Sequence, residues 1–287
     1  MKKTFSSKKS AFSLIELSIV LIVIGLLIAG VTGGASLIKS SELRSIMGEA
    51  RAYSVAVSGF YSQYSYLPGD YATSIGGAAA PSTTTAAYAG SSSSAQNARI
   101  EYNTASVATY LSESVAAWDQ MVKSGTVDIP SLTLAATTTA QVAGTNMPAS
   151  KIKSAGWHFD YRTSVGTTGT DYGSTVNEGA AAAPAYQNVV VLTGTTTAAS
   201  TTDTTSIALT LVNGATNLAS ASVTGPDAMS IDTKIDDSFA NAGRVRGLNP
   251  GNTTGCYTLS TTANQNYIVT STTNKTCALT FQVDVNS

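Results

Sequence analysis

The sequence predicts an α+β fold: one long N-terminal helix, then a larger domain in which short helices and strands are mixed. Three observations carry that reading. Positions 17–38, a run of 22, hold no charged residue. Beyond Lys39 the apolar residues fall at three- and four-residue spacing, up to a Leu67-Pro68-Gly69 stop. Past the stop, Thr- and Val-rich runs of strand length are separated by stretches rich in Ala, Ser, Thr and Gly.

The N-terminal element comes first. Lys2, Lys3, Lys8 and Lys9 precede the apolar run, and no acidic residue accompanies them. The 22 uncharged positions make roughly 33 Å of helix, enough to cross a bilayer core of about 30 Å. The basic flank stays cytoplasmic, so the remaining chain lies outside. A cleaved secretory signal has an apolar core of only about 7–15 residues. A lipoprotein signal needs a cysteine at its cleavage site, and the first cysteine here is Cys256. A plain anchor fits the length but leaves Glu16 unexplained, because a carboxylate in an apolar span costs on the order of 2.5–3.5 kcal/mol.

The helix continues past the apolar run. Leu43, Ile46, Met47, Ala50, Tyr53, Val57, Phe60, Tyr61 and Tyr64 form one face, with Glu42, Arg44, Glu49, Arg51 and Gln63 between them. A continuous helix from Phe12 to Tyr66 would be roughly 80 Å long, with its second half packed on the following domain. Gly25, Gly30, Gly33 and Gly34 lie within it. Each costs about 1 kcal/mol of helix propensity relative to alanine, and Gly33-Gly34 suits close helix–helix packing, or else the loosening on assembly that the family resemblance described below implies for this segment.

Two shorter helices follow. In Ser106–Ser124, Leu111, Val115, Trp118 and Val122 share one face, and Gly125 ends the run. A helix from Pro226 to about Asp237 has proline in its first turn and Met229, Ile231 and Ile235 as apolar contacts. Strands are expected at Tyr186–Thr193, Ser206–Val212, Tyr267–Ser271 and Ala278–Val285, and Gly156–Tyr161 is an aromatic, strand-like segment. Ile75–Asn97 and Leu134–Gly144 read as loops.

Composition narrows the function classes. Of 287 residues, 11% are charged, less than half the roughly 25% usual in soluble domains, and the net charge is −1. A polybasic nucleic-acid binder does not look like this, and nucleic acid is not an expected partner. Two cysteines exclude a disulfide-dense miniprotein, and one histidine leaves little room for His-based catalysis.

Lys8-Lys9-Ser10-Ala11 followed by Phe12-Ser13-Leu14-Ile15-Glu16-Leu17 resembles the processing motif of type IV pilins and type II secretion pseudopilins. The resemblance implies a leader of residues 1–11, cut between Ala11 and Phe12 by a prepilin peptidase, with N-methylation of the new Phe12 amine. Ala11 stands where the family usually has Gly. Glu16 becomes the fifth residue of the mature chain and is implicated in assembly. Its carboxylate would pair with the Phe12 amine of a neighbouring subunit, satisfying two groups that are each costly alone in low dielectric. The competing reading is that Glu16 snorkels to the interface and pairs with Lys8 or Lys9.

The implied organisation is a leader (1–11), a transmembrane and assembly half-helix (12–38), an amphipathic half-helix (39–66) and an extracytoplasmic domain (67–287). In that architecture the helix packs on an antiparallel sheet and a C-terminal disulfide closes a loop. Cys256 and Cys277 enclose 20 residues, and two cysteines outside the cytoplasm usually pair. The staple is structural, or it also presents the enclosed loop for adhesion or subunit contacts.

Tyr66-Leu67-Pro68-Gly69-Asp70, Trp118 followed by Gly125, Asn146-Met147-Pro148-Ala149-Ser150, Ile231-Asp232-Thr233-Lys234-Ile235-Asp236-Asp237 and Cys256-Tyr257 are similar to segments in a poorly characterised branch of pilin-like proteins. Ser238 stands where that branch has Gly.

Catalytic chemistry is not expected, and neither is a cofactor. His158 reads as a structural histidine, and the serines lack a matching base and acid. Asp232, Asp236 and Asp237 read first as a solvated helix end, with calcium as the weaker alternative, since calcium takes six to eight oxygen ligands. Lys234, Arg244 and Arg246 make a basic cluster too small for a nucleic-acid footprint.

The expected role is a structural subunit, major or minor, of a type IV pilus or a type II secretion pseudopilus. It would wait in the inner membrane as a single-pass protein and then enter a periplasmic or cell-surface filament. Its partners would be the peptidase, other subunits and the inner-membrane assembly platform. The alternative is a membrane-anchored extracytoplasmic adhesin or binding module that does not polymerise.

Overall fold

The computed structural model describes residues 13–71, 98, 100, 113–130, 132, 142–145, 147–162, 187–194, 221–249, 255–258 and 264–283. The expected strand at 206–212 and the first turns of the expected helix at 106–112 lie outside them. The chain forms two units, 1–42 and 43–287, each taken by itself below.

Helix α1 spans Leu14–Tyr64. Its portion beyond Leu43 buries Leu43, Ile46, Ala50, Tyr53, Ala56, Val57 and Phe60, with Met47, Tyr61 and Tyr64 partly covered, which is the face the spacing predicts. The stop after α1 is a built turn. Gly69 takes a positive φ of 86°, a conformation glycine adopts without penalty. Its amide donates to Gln120 Oε1 at 2.7 Å, and Gln120 Nε2 donates to the Tyr71 carbonyl at 2.9 Å. Gln120 belongs to helix α2, Glu113–Lys123, so one buried amide side chain fastens the turn to the next helix.

Strands β1 (Ala155–Arg162), β2 (Gln187–Gly194), β3 (Val245–Leu248) and β4 (Ala278–Gln282) form an antiparallel sheet in the order β1-β2-β4-β3. The register places Phe159, Val190, Phe281 and Val245 in one row across it. That face belongs to the core shared with α1 and α2. The Tyr53 ring stands 4.9 Å from Trp118 and 5.5 Å from Trp157, edge-on to both, and Trp118 stacks at 4.4 Å on Phe159. The adjacent row, His158, Val191, Thr280 and Arg246, belongs to the opposite face and is buried as well.

Each outer strand has two outward amides occupied. On β1, Trp157 donates to the Pro148 carbonyl and Phe159 to Ser114 Oγ, each at 2.9 Å. On β3, Gly247 donates to the Ala240 carbonyl at 2.8 Å and Val245 to Asp236 Oδ2 at 3.2 Å. An edge closed in this way offers little to a pairing strand.

Helix α3 spans Gly225–Ile235. Thr224 is its N-cap, accepting from the Asp227 amide at 3.3 Å while its hydroxyl donates to Asp227 Oδ2 at 2.7 Å. Gly225 lies directly against the Ile268 carbonyl, where a Cβ would collide with backbone.

Three expectations change. Residues 267–271 are not a strand: Tyr267 makes only an isolated bridge to Tyr257, because the cross-links of this region run to Cys256 and α3 instead of along a ladder. Of the expected apolar contacts of α3, Ile231 is buried and Ile235 packs against the core, but Met229 is 40% exposed and Ala228 is buried in its place. The strand Val245–Leu248 was not anticipated, since Val-Arg-Gly-Leu carries too little β-pattern to be read as one.

Candidate functional site

The first unit presents an apolar surface with one carboxylate at its start. Each large apolar side chain from Leu14 to Ile38 is exposed, between 46% and 88%. Covering such a side chain is worth about 1.5–3 kcal/mol, so the segment requires lipid or other helices around it. By length and composition, helix α1 can cross a membrane.

Ala11 and Phe12 lie outside the described residues. Glu16 lies within them, and its position is informative. The Ser13 amide donates to Glu16 Oε2 at 2.9 Å, while the Ile15 amide lies 3.4 Å from Ser13 Oγ. Ser13 and Glu16 are thus the first and fourth residues of a capping arrangement in which a carboxylate satisfies a donor that the helix itself leaves open. Ser13-Leu14-Ile15-Glu16 ahead of an apolar run is a sequence-level capping signal, and it was the one sign available beforehand that Glu16 also serves its own helix.

In the second unit Cys256 and Cys277 form a buried disulfide. Asn249 organises its approach. Its Oδ1 accepts from the amides of Gly255, Cys256 and Tyr257 at 3.0, 2.7 and 3.2 Å, and its Nδ2 donates to the Tyr257 carbonyl at 3.1 Å. On the far side, Cys277 and Val223 exchange hydrogen bonds, each at 3.0 Å. The bridge therefore joins the entry of α3, the start of β4 and the end of β3.

Asp232, Asp236 and Asp237 stand together, one carboxyl oxygen of each within 4.8 Å of the others. They are not a uniformly solvated helix end: Asp232 is fully buried and only Asp237 is exposed. Each accepts from the chain itself. Tyr267 Oη donates to Asp232 Oδ2 at 2.9 Å, the amides of Arg244 and Val245 donate to Asp236 Oδ2, and the Phe239 amide donates to Asp237 Oδ1 at 2.9 Å. The cluster closes the turn from α3 into β3 with its own donors. Of the basic cluster, Lys234 and Arg244 are exposed, whereas Arg246 is buried with Nε donating to the Gly243 carbonyl at 3.0 Å.

His158 sits in β1, 2% exposed. Burial lowers its pKa to about 3, so it stays neutral. A base whose folded pKa is depressed from 6.5 adds stability that is complete above pH 6.5 and is lost as pH falls toward 3. Replacing His158 with Gln should flatten this acid loss, read as the urea midpoint across that range. An unchanged slope would place the acid sensitivity elsewhere.

Glu49, read from spacing as a polar position between apolar ones, is a further functional group of the fold. It accepts from Ser150 Oγ at 2.7 Å and from the Lys151 amide and Trp157 Nε1, each at 2.9 Å. Nothing in its spacing distinguishes it from its exposed neighbours, and only the segment it meets reveals the role.

No family model, curated protein or solved structure matches the chain.

Proposed function

We propose that the chain is a structural subunit of a type IV pilus or a type II secretion pseudopilus, cut by a prepilin peptidase between Ala11 and Phe12 and not an enzyme. The observation that carries this reading is the first unit: an exposed apolar helix, free of charge from Leu17 to Ile38, headed by a carboxylate one turn from the proposed cut. The pilin-like α+β architecture supports it, with the amphipathic half of the helix packed on an antiparallel sheet and a disulfide near the C-terminus.

Cleavage would leave the Phe12 amine beside Ser13, whose own amide already binds Glu16. The carboxylate is thereby held at the helix start, where it can neutralise an amine of its own chain or of a neighbour. Either pairing removes an isolated charge from an apolar environment. The subunit would wait in the inner membrane, meet the assembly platform there and be inserted among other subunits.

The test is N-terminal and intact-mass analysis of protein recovered from cells that possess a prepilin peptidase. The expected result is a chain beginning at Phe12 with one added methyl. The Glu16→Ala variant should still be cleaved but should remain in the membrane fraction instead of the sheared filament fraction. A retained leader, or Glu16→Ala protein that reaches the surface function unimpaired, would overturn the proposal in favour of an anchored binding module.

A further inference from the structure

Segment 147–155 lies between α2 and β1, and the proposed assembly makes no use of it. It is tightly held. The Ser150 amide donates to the Ala155 carbonyl at 2.9 Å, and Ser154 closes the turn with a positive φ of 60°. Glu49 of α1 grips the same turn, accepting from Ser150 Oγ and from the Lys151 amide. Ile152 is buried in the core, whereas Lys151 and Lys153 on either side of it are exposed. Two ammonium groups are thus presented to water from a fixed backbone.

A third lysine joins them from a distant part of the chain. Lys275 Nζ donates to the Lys153 carbonyl at 3.0 Å, and Lys275 is itself exposed. Its backbone is fixed as well. The Thr276 and Cys277 amides donate to the Val223 carbonyl, each at 3.0 Å, and Cys277 is bonded to Cys256. Among the described residues neither Lys151 nor Lys153 lies within salt-bridge distance of a carboxylate. Glu49 supplies one negative charge beside them, already shared among Ser150, Lys151 and Trp157. In a chain with 11% charged residues and a net charge of −1, three lysines at one place are a concentrated basic face.

The tether decides what such a face meets. Leu43 opens the second unit only a few residues after Ile38, where the uncharged run ends. A tether this short keeps the domain beside a bilayer that holds the first unit, at an effective concentration of about millimolar. Anionic headgroups attract basic groups near the surface, by about fivefold for each lysine. We infer that Lys151, Lys153 and Lys275 form a docking face for anionic phospholipid headgroups, on which the domain rests while the subunit waits in the membrane. Lysine suits the role, because a point charge on a flexible stem follows fluid headgroups without demanding one geometry. The tether brings headgroups to every single chain, whereas a second copy has to be gathered first. Docking presupposes that the first unit lies in a membrane, and it adds an orientation of the domain that spanning alone does not supply.

The test is lysine acylation of the full chain reconstituted in vesicles, read residue by residue by mass spectrometry. One set of vesicles holds phosphatidylcholine alone, and the other about one-third phosphatidylglycerol. With phosphatidylglycerol, acylation of Lys151, Lys153 and Lys275 should slow by at least about fivefold, and by about a hundredfold where the three act independently. Sodium chloride at about 0.5 M should abolish the difference, since it shortens the Debye length to about 4 Å. Lys123, on the helix whose Gln120 fastens the turn ending α1, should react alike in both sets. Changing Lys151→Gln and Lys153→Gln together leaves Ile152 in the core and should return the Lys275 rate toward its phosphatidylcholine value.

Equal rates in the two sets, for protein that floats with both, would overturn the docking face and leave the membrane reading standing. Protein that floats with neither would overturn both. Slowing of Lys123 by the same factor would show general shielding and overturn the face. Slowing already present in phosphatidylcholine, and growing with protein density, would overturn it in favour of contact with a second copy.

Discussion

Replacing Glu49 with alanine is expected to destabilise the domain by about 3–5 kcal/mol, a large share of the roughly 5–15 kcal/mol by which domains are usually stable. The carboxylate accepts three hydrogen bonds, from Ser150 Oγ, the Lys151 amide and Trp157 Nε1. Hydrogen bonds to a charged group are worth about 1.5–3 kcal/mol each, but the three share one acceptor and do not add fully. Trp157 is fully buried, so its indole N–H would be left without an acceptor in the core. The same change releases segment 150–151 from α1, where the Ser150 amide already pairs with the Ala155 carbonyl at the start of β1. Glu49→Gln retains acceptor capacity at one atom and should fall between the two. Arg51→Ala, at an exposed position of the same helix, should remain within about 0.5 kcal/mol of the parent. Urea unfolding followed by tryptophan fluorescence reads all three. Equal midpoints for Glu49→Ala and Arg51→Ala would show that the clamp contributes nothing.

The second large effect is expected from the disulfide. Replacing Cys256 and Cys277 together with alanine should cost about 2–5 kcal/mol. The chain-entropy contribution for a loop of this length is roughly 3 kcal/mol. The remainder depends on how well alanine fills a site where both sulfurs are buried. Gly247 sharpens the packing there, since a Cβ at that position would stand 2.8 Å from Cys256 Sγ. The loss should be uneven. Asn249 still gathers the amides of residues 255–257 after the bond is removed, so that approach should keep its local order. The 264–270 segment loses one of its anchors and should exchange fastest. A double variant as stable as the parent would show that hydrogen bonding alone holds the region.

Several elements were legible from the residues alone because each depends on near neighbours in sequence. The long helix follows from an uncharged run and from the spacing of Leu43 to Tyr64, and its buried face is the one that spacing marks. The proline in the first turn of α3 marks that helix start, and the two Val- and Thr-rich strands lie within a few residues of their expected bounds. The disulfide was legible because two cysteines leave only one pairing within the chain.

What only the tertiary structure decided depends on partners far away in sequence. Glu49 meets residues about a hundred positions later, and the Asp232–Tyr267 contact spans 35. Val245–Leu248 becomes a strand because β4 lies beside it, whereas 267–271 finds only isolated bridge partners among the described residues. Periodicity and composition report how a segment meets water and its own backbone. They cannot report which distant donor reaches a carboxylate, and that encounter makes Glu49 a clamp and Asp232 a buried acid.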